Sequence, residues 1–460
     1  MVDYDFIVIG GGSGGVRAAR IAAQAGAKVA LIEGSALGGT CVNVGCVPKK
    51  LFTYAAQFGQ DFQDAKGYGW SVSEPQFDWP TLISNKDREI KRLNTIYAAN
   101  LKKTGVEIIA AWGQYQGFED SQHQIALSKD LAGKSLTGEV IQAPKILLAT
   151  GGEPRRPSFP GAEHVLLSDD LFYLERLPKR LVIIGGGYIA LEFACIFAQL
   201  GVEVHVMVRS EILRGFDEDL QAWLSEGLEQ LKVQVHLQSS VQAVTKTETG
   251  LALTYSRADD EQAQTLEADQ ICAAIGRIIR LPTGLEALEL EQAQIKVDAQ
   301  LQTSVPGCFA VGDLLTTPAL TPVAIRQGQW LAQTLFSDQA PTKDWHLPSV
   351  PTAVFTQPSL ATVGATEAEL RECQTAYKVY KSDFRPLKHV LAANTSRVGI
   401  KLLVSKDARE QVLGLHMSGA EGPELVQALA VGFDLGMCKA DLDRTLAVHP
   451  TVGEEWVTLN

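Results

Sequence analysis

The chain has 460 residues, 46% of them hydrophobic and 20% charged, and its formal net charge is −12. Its length allows roughly two to four domains, and its composition is ordinary for a globular protein. The negative charge argues against nucleic acid as a partner, because phosphate contacts need a basic surface. No apolar run approaches the roughly 20 residues of a membrane span, so no membrane partner is expected.

The N-terminus and the cysteines indicate the compartment. Residues 1–5 lead directly into an apolar strand, without the basic segment and cleavage site of a secretory signal. The seven cysteines, at positions 41, 46, 195, 272, 308, 373 and 438, are odd in number and scattered, unlike a disulphide framework. We therefore expect a cytoplasmic protein, and the earlier removal of a transit peptide is left open.

The first predicted elements form a βαβ unit. Residues 4–9 have the pattern of a buried strand, G-x-G-x-x-G follows at 10–15, and a helical run ends at Gly26. The next strand, residues 28–33, closes with the acid Glu33. This combination predicts dinucleotide binding, with the pyrophosphate at the helix N-terminus and the ribose on the acid. The alternative is a glycine-rich turn in another α/β fold.

The same pattern recurs 175 residues further along the chain. A strand at 181–184 leads into G-x-G-x-x-A at 185–190, a helix follows to Gln199, and a second strand covers residues 202–208. Two dinucleotide sites in one chain imply two cofactors, and hence electron transfer between them.

The two copies differ at the acid. Val208 stands where Glu33 does, Arg209 follows it, and Arg214 comes five residues later. Two guanidinium groups can hold a ribose 2′-phosphate, so the second site is predicted to prefer NADP over NAD. The alternative is that both arginines are simply solvated.

The remaining segments continue the α/β pattern. A polar helical region and a group of short strands separate the two copies, and a strand that ends in an acid follows the second copy. Linker composition then precedes a further α+β unit. In chain order, these segments are 51–103, 106–149, 308–313 with a helix at 321–336, the linker 341–351 and the unit 352–460.

Cys41 and Cys46 are the only two cysteines close to each other in sequence. In a regular helix their Cα atoms would be roughly 8 to 9 Å apart, whereas a disulphide needs about 4.4 to 6.8 Å. The backbone must therefore leave the helix between them, which Gly45 permits. A disulphide closing so short a loop adds little stability, so a redox role is predicted.

Five motifs in a fixed order define a family. They are G-T-C-V-N-V-G-C-V-P-K at 39–49, A-T-G-G at 149–152, the fingerprint at 185–190, V-G-D at 311–313 and H-P-T-x-x-E at 449–454. With these motifs the whole chain resembles the flavin-dependent pyridine nucleotide-disulphide oxidoreductases, and among them the glutathione reductase branch of plant and cyanobacterial type.

The resemblance implies the fold and its division. We expect an α/β protein with two Rossmann-like dinucleotide-binding domains, for FAD and NADPH, and a C-terminal α+β dimerisation domain. The implied domains are 1–150 for FAD binding, 151–275 for NADPH binding, 276–342 as a central domain that completes the FAD site, and 343–460 as the interface domain.

The resemblance also implies the catalytic roles. Cys46 would accept electrons and rest as a thiolate beside the flavin, and Cys41 would attack the substrate disulphide. His449, oriented by Glu454, would be the general acid and would act in the other subunit's site of a homodimer. Lys49 and Glu192 would form an ion pair beside the flavin.

The implied cofactor-binding residues fall into two sets, and Tyr188 would cover the flavin until the nicotinamide displaces it. The FAD set is Gly10, Gly12, Ser13, Gly14, Gly15, Glu33, Gly39, Thr40, Cys41, Lys49, Gly113, Thr150, Gly151, Asp313, Thr321 and His449. The NADP set is Gly185, Gly186, Gly187, Tyr188, Ile189, Glu192, Arg209, Arg214 and Gly276.

The implied substrate is glutathione disulphide, and no metal is expected. Its implied contacts are Ser13, Arg20, Ile96, Tyr97 and Arg326. The sequence departs from the family in two places. The family's second glutathione-binding arginine falls at Gln329, so Arg326 is expected to replace it. Arg209 and Arg214 are also one residue closer together than is usual.

Three alternatives stay open at this point. A trypanothione-type reductase is disfavoured by Arg17 and Arg20, because that branch carries an acid and a tryptophan on the first helix. A lipoamide dehydrogenase-type enzyme is disfavoured by Arg209. A flavin-binding protein without turnover is disfavoured because both fingerprints, both cysteines and His449 are present.

Overall fold

The structure is a computed structural model that describes residues 2–130, 139–258, 260–286, 288–339, 341, 344–346 and 349–460. The chain divides into two compact units. Unit one is Met1–Lys49, Ile83–Pro154 and Arg277–Leu347, and unit two is Lys50–Leu82, Arg155–Gly276 and Pro348–Asn460. The division into four domains stays a prediction, and the expected linker at 341–351 lies in part outside the described residues.

The centre of unit one is a five-stranded parallel sheet. Its order is Cys308–Ala310, Ile146–Leu148, Phe6–Ile9, Val29–Ile32 and Glu107–Ile109. The strand Phe6–Ile9 is buried along its whole length, as expected for a central strand covered on both faces. The predicted first βαβ unit is therefore confirmed.

Two helices of unit one pack together through glycines. The helix Ser13–Gln24 contacts the helix Thr321–Phe336 along its length. A Cβ added at Gly328 would lie 2.4 Å from the backbone oxygen of Gly14, so the two backbones approach too closely for any side chain at this position.

The other elements of unit one form smaller sheets and short helices. A four-stranded sheet has the order Val2–Asp3, Val140–Ala143, Gln122–Asp130 and Ala111–Glu119. Two hydrogen-bonded pairs are Gly152–Pro154 with Arg277–Ile279 and Leu290–Glu291 with Gln294–Ile295. An α-helix covers Gly39–Val44, and a 3-10 turn covers Gly312–Leu314. Two longer helices, Cys46–Ala65 and Trp79–Lys103, continue across the division between the units.

Unit two contains the second βαβ unit. Its five-stranded parallel sheet has the order Leu166–Leu167, Gln270–Ala273, Arg180–Ile184, Glu203–Met207 and Gln234–His236. The helices are Tyr188–Gln199 and Glu218–Gln230, with 3-10 turns at Lys66–Tyr68, Ala162–His164 and Ser168–Tyr173. An antiparallel sheet joins Ser239–Lys246, Leu251–Arg257 and Asp260–Ala268. The predicted repeat of the first pattern is confirmed.

The C-terminal part of unit two is built on an antiparallel sheet. Its order is Thr352–Val354, Leu360–Gly364, Val412–Ser418, Val398–Ser405 and Tyr377–Phe384. Its helices are Glu367–Glu372, Leu387–Ala392, Gly422–Asp434, Lys439–Asp443 and Glu455–Thr458, with a 3-10 turn at Val452–Glu454. The α/β fold class with a C-terminal α+β region is therefore confirmed. Within the described ranges, no helix has the length and apolar character needed to cross a membrane.

Candidate active site

The first fingerprint forms a cradle of backbone at a helix N-terminus. Gly10 has a φ of +110°, and a Cβ there would lie 2.3 Å from the Ala149 oxygen. Gly12 lies against Gly39, where a Cβ would be 2.7 Å from the Gly12 Cα. The helix Ser13–Gln24 begins at this point without a side-chain cap or an acid in its first turn. Its positive end therefore suits a pyrophosphate.

Glu33 fixes the loop on the other side of this cradle. One carboxylate oxygen accepts from the Gly11 N–H at 2.6 Å, and the other accepts from the Ser35 N–H at 2.7 Å. Burial raises the pKa of Glu33, while these two hydrogen bonds oppose the increase. Each carboxylate oxygen can accept a second bond, so the group can still receive ribose hydroxyls.

Arg277 interacts with two residues expected around the flavin, Thr40 and Asp313, and with the backbone of Gly152. Its Nη2 donates to the Gly152 carbonyl at 2.6 Å and to the Thr40 hydroxyl oxygen at 3.3 Å. Burial raises the pKa of Asp313, and the charge of Arg277 acts in the opposite direction. No role for Arg277 was predicted from the sequence, because an arginine next to a strand carries no distinctive motif.

Three other residues implied for FAD, namely Thr150, Gly151 and Gly113, also lie in unit one. Thr150 donates its hydroxyl hydrogen to the Arg280 carbonyl, and Gly151 has a φ of +64°. Gly113 lies in the strand Ala111–Glu119, where a Cβ would be 3.3 Å from a methyl group of Ile32. Together with the glycine cradle and Glu33, these positions fit a dinucleotide, and the assignment of each residue to FAD stays a prediction.

The two cysteines lie on either side of a break between two helices. The helix Gly39–Val44 ends at Gly45, whose φ of −148° and ψ of −119° are not helical, and the next helix begins at Cys46. A Cβ at Gly45 would lie 2.8 Å from the Thr40 oxygen. The predicted departure from a regular helix is confirmed. Both thiols are free in this structure.

The two thiols are electrostatically unequal. The hydrogen bond between them raises the pKa of Cys41 and lowers the pKa of Cys46 to about 6. Burial opposes the decrease at Cys46, whereas the Thr321 hydroxyl, 3.7 Å from its Sγ, and the charge of Lys49 add to it. The reduced pair therefore ionises first at Cys46, and Cys41 donates its S–H to the resulting thiolate.

Alkylation of the reduced protein tests this difference. We expect the rate of iodoacetamide reaction at Cys46 to stay level as the pH is lowered and to fall only below about 6, because the thiolate is the reactive form. An ordinary thiol would lose reactivity below about pH 8.5. Mass spectrometry of the Cys46 peptide gives the rate. Cys41→Ala removes the hydrogen-bond donor, and a midpoint unchanged in that variant would contradict the stated cause.

His449 is held by a carboxylate at the end of unit two. Its Nδ1 lies 2.8 Å from Glu454 Oε2, and its side chain is 78% exposed. The Thr451 hydroxyl accepts from the Glu454 N–H and starts the turn that positions this carboxylate. If the Nδ1–H is donated to Glu454, the Nε2 of this exposed ring can exchange a proton.

The second fingerprint repeats the cradle in unit two. Gly185 has a φ of +139°, and a Cβ there would lie 2.3 Å from the Ala274 oxygen. A Cβ at Gly186 would lie 2.8 Å from a methyl group of Val208. The helix Tyr188–Gln199 follows Gly187 without a side-chain cap, as in the first copy.

Four further residues implied for NADP lie in this helix or after the strand Gln270–Ala273. Tyr188 is 42% exposed at the first position of the helix, with Ile189 beside it. Glu192 is buried and accepts from the Phe355 N–H at 2.8 Å. Gly276 has a φ of +104° after the strand Gln270–Ala273. The expected ion pair of Lys49 with Glu192 stays a prediction.

The segment 209–216, here called the arginine loop, carries both arginines predicted to bind the 2′-phosphate. The Arg214 guanidinium donates to the Ser210 hydroxyl, and its Nε lies 3.6 Å from Glu211. The Leu213 N–H donates to the Gly186 carbonyl at 2.8 Å, so this loop is bonded directly to the fingerprint. Leu213 adopts a φ of +46°, which ordinary residues take up rarely.

A cavity of about 200 Å³ opens beside the first helix in unit one. It is lined by Ser13, Val16, Arg17, Arg20, Tyr97, Asn100 and Ile325. The Arg20 Nε is buried there without a hydrogen-bond partner among the described residues. Burial raises the pKa of Tyr97; the charge of Cys41 adds to the increase and the charge of Arg17 opposes it. Tyr97 therefore connects the cavity with the cysteines.

The cavity contains three of the five residues implied for substrate binding. Ser13, Arg20 and Tyr97 line it, whereas Ile96 is absent from the lining and Arg326 donates to the Asp344 carbonyl at 3.2 Å. The sequence missed Asn100 as a lining residue, although it lies three positions after Tyr97 and so on the same helix face. From the sequence, Arg17 was interpreted only as evidence against a cationic substrate and was not predicted to line a binding site.

Two parallel sheets with glycine cradles and a cysteine pair define a redox protein that uses two nucleotides. The chain belongs to the pyridine nucleotide-disulphide oxidoreductases, whose family model matches residues 4–328. The dimerisation domain model of the same family matches residues 350–460. The family resemblance inferred from the sequence is therefore confirmed.

Several relatives with assigned names are similar to the chain over nearly its full length. The glutathione reductase of Burkholderia cepacia is 42% identical over 99% of this chain and 98% of its own. The chloroplastic/mitochondrial glutathione reductase of Pisum sativum is 39% identical over 99% of this chain and 82% of its own. The glutathione reductase of a Nostoc species is 36% identical, with 99% of each chain covered.

Proposed function

We propose that this protein is an NADPH-dependent glutathione-disulphide reductase that uses FAD. The observation that carries the proposal is the hydrogen-bonded pair Cys41–Cys46, in which the fold favours a thiolate on Cys46. The arginine-lined cavity in the same unit and the names of the full-length relatives support the choice of substrate.

FAD would be held by the first cradle, by Glu33 at the adenosine ribose and by Asp313 along the chain that joins the ring to the phosphates. The uncapped helix at Ser13 would receive the pyrophosphate. When bound, the flavin supplies a carrier that takes up a hydride from NADPH and passes two electrons to a disulphide.

The cysteines perform the exchange with the substrate. The Cys41 thiolate attacks one sulphur of glutathione disulphide, a mixed disulphide forms, and one glutathione thiolate leaves. The Cys46 thiolate then attacks Cys41 Sγ, which releases the second glutathione and re-forms the Cys41–Cys46 disulphide. The two electrons that restore the dithiol come from NADPH, so one NADPH and one proton yield two glutathione molecules.

His449 would supply and remove the proton in this exchange. It takes the proton from Cys41 before the attack and gives it to the leaving glutathione thiolate, whose pKa is well above neutral. Its exposure, its bond to Glu454 and the match to the dimerisation model support a role in the other subunit of a homodimer. Leu446 and Val448, just before it, are exposed as well, as expected for a face that covers a partner.

Arg17 and Arg20 would select the substrate. Glutathione disulphide carries several carboxylates, and two guanidinium groups on one helix face attract them and repel a cationic polyamine conjugate. The decisive assay is NADPH oxidation with glutathione disulphide, trypanothione disulphide and lipoamide in parallel. A kcat/KM highest for glutathione disulphide is expected, and a higher value for either other disulphide would overturn the assignment.

The choice of nicotinamide nucleotide would depend on Arg209. We expect Arg209→Ala to lower the preference for NADPH over NADH, measured as the ratio of the two kcat/KM values, by roughly 10- to 100-fold, because a charged hydrogen bond to the 2′-phosphate is lost. Arg176→Ala, an exposed arginine outside the arginine loop, is the matched control. An unchanged ratio in Arg209→Ala would exclude this residue as the phosphate ligand.

The proposed location is the cytoplasm, where a reducing pool keeps thiols reduced and consumes the product of this reaction. The Pisum sativum relative is named as chloroplastic/mitochondrial. Detection of the native protein in separated cell fractions decides the location, and enrichment in an organelle fraction would contradict it.

A further inference from the structure

Lys401 is a fully buried charged group outside the active site. It lies in the strand Val398–Ser405, and its side chain is 0% exposed. Its Nζ lies 2.7 Å from Asp217 Oδ1 and 2.9 Å from carboxylate oxygens of Asp219 and Glu367. Burial alone would lower the pKa of Lys401, but the three carboxylates raise it. The ammonium group is therefore charged and fully enclosed.

Asp217 is the centre of this cluster, and its side chain is also 0% exposed. Besides Lys401, its carboxylate accepts from the N–H groups of Asp219 and Glu367, each at 3.1 Å. His416 Nε2 lies 3.8 Å from its other oxygen and contacts the Ala365 carbonyl at 3.1 Å. The carboxylate is thus bonded on several sides to the C-terminal sheet and its first helix.

A buried ionic cluster is weak as a source of stability, because the cost of removing the charges from water offsets their attraction. Its geometry, however, is exacting, since each charge must keep its partners. Lys401 and its three carboxylates are therefore better suited to fixing a position than to adding stability.

The position that the cluster fixes is the end of the arginine loop. Asp217 follows directly after residue 216 and is the N-cap of the helix Glu218–Gln230. The other attachment of the loop is the bond from Leu213 to Gly186. Gln221 adds bonds from Nε2 to the Leu213 and Phe216 carbonyls at 3.3 and 3.2 Å.

The helix that begins at Asp217 is itself seated on the C-terminal sheet. A Cβ added at Gly399 would lie 2.2 Å from the Trp223 ring, so the strand backbone packs directly on this helix. Lys381, on the neighbouring strand Tyr377–Phe384, contacts Asp219 and lies 5.4 Å from the centre of the Trp223 ring. The loop is therefore held on one side by the fingerprint and on the other by the C-terminal sheet.

We infer that Lys401 is a positioning residue for the 2′-phosphate of NADPH, acting through Asp217 on the arginine loop. The C-terminal sheet thereby contributes to nucleotide selection without touching the nucleotide. The inference rests on the proposed function only in taking the arginine loop as the 2′-phosphate site.

The test is nucleotide binding to the FAD-loaded protein with Lys401→Met, which keeps the length of the side chain and removes its charge. We expect the Kd of 2′,5′-ADP, measured by calorimetry, to rise about tenfold. The kcat/KM ratio of NADPH to NADH should fall by a similar factor, while kcat at saturating NADPH stays level. Hydrogen exchange at residues 211–217 without nucleotide should become faster.

Lys378→Met is the matched control, because this lysine lies on the strand Tyr377–Phe384, is 47% exposed and pairs with Glu410, which is not a member of the cluster. It should leave the Kd of 2′,5′-ADP and the exchange at 211–217 unchanged. An unchanged Kd in folded Lys401→Met, or an equal rise in both variants, would overturn the inference.

If Lys401→Met does not fold, the variant Asp217→Asn tests the same inference. Asparagine keeps the shape of the side chain and can cap the helix, but it removes the charge that pairs with Lys401 and replaces one of the two acceptor oxygens by an NH2 group. The same direction of change in Kd and exchange is expected, and wild-type values would overturn the inference. Wild-type protein that binds no 2′,5′-ADP would instead remove the proposed NADPH site, so the two failures are distinguishable.

Discussion

Cys41→Ser is expected to lower the kcat for glutathione disulphide by at least about 10³-fold, because no sulphur remains to form the mixed disulphide. Reduction of the bound flavin by NADPH should persist, because the nucleotide cradles and Cys46 are untouched. Stopped-flow absorbance of the flavin and steady-state oxidation of NADPH measure the two steps separately.

Cys373→Ser provides the matched control, because Cys373 is an exposed cysteine at the end of the helix Glu367–Glu372. It should keep full turnover. Turnover of Cys41→Ser at the wild-type rate would show that another group attacks the substrate, and loss of flavin reduction in this variant would show that serine had disturbed the nucleotide sites.

His449→Ala should lower kcat by roughly 10²- to 10⁴-fold, the usual contribution of a general acid. Hybrid dimers then reveal the subunit in which the imidazole acts. A dimer of one Cys41→Ser chain and one His449→Ala chain, isolated with two different tags, keeps one intact site if His449 serves the partner. Such hybrids should regain about half of the wild-type kcat per dimer, since one of two symmetric sites is complete.

The opposite outcome is equally clear. If His449 acted within its own subunit, both sites of the hybrid would carry one damaged residue, and the activity would stay at the level of the single variants. Hybrids of Cys41→Ser with wild-type chains control for the tags and the exchange procedure, and these should also show half activity. Gel filtration establishes that all preparations are dimers.

The parts of the molecule that the sequence predicted well are local in origin. The two βαβ units follow from hydrophobic strands, glycines at fixed offsets and a helix that ends at glycine, all within about 30 residues. The break at Gly45 followed from the incompatibility between helical spacing and disulphide geometry. In each case the physical constraint acts between residues that are neighbours along the chain.

The parts that the sequence did not predict depend on distant pairs. Lys401 lies in an apolar strand, and no motif around it indicates a partner. Its partner Asp217 lies 184 residues earlier. Arg277 and its bond to Thr40 span 237 residues. Such contacts form only when the sheets assemble. The residue pattern of one segment does not indicate which distant segment it will contact. Helical spacing places Asn100 on the same face as Tyr97, but the sequence alone does not show that this face lines a cavity.

The strand order of unit one has a consequence for the newly made chain. Its central sheet places Ile146–Leu148 between Phe6–Ile9 and Cys308–Ala310, whereas the parallel sheet of unit two uses strands from 166 to 273 only. The ribosome must therefore finish the second nucleotide-binding sheet before it supplies the last strand of the first. At about 5–20 residues per second, Ile146–Leu148 waits on the order of ten seconds or more as an open, apolar edge. The parallel sheet that begins first is therefore completed later than the sheet that begins second.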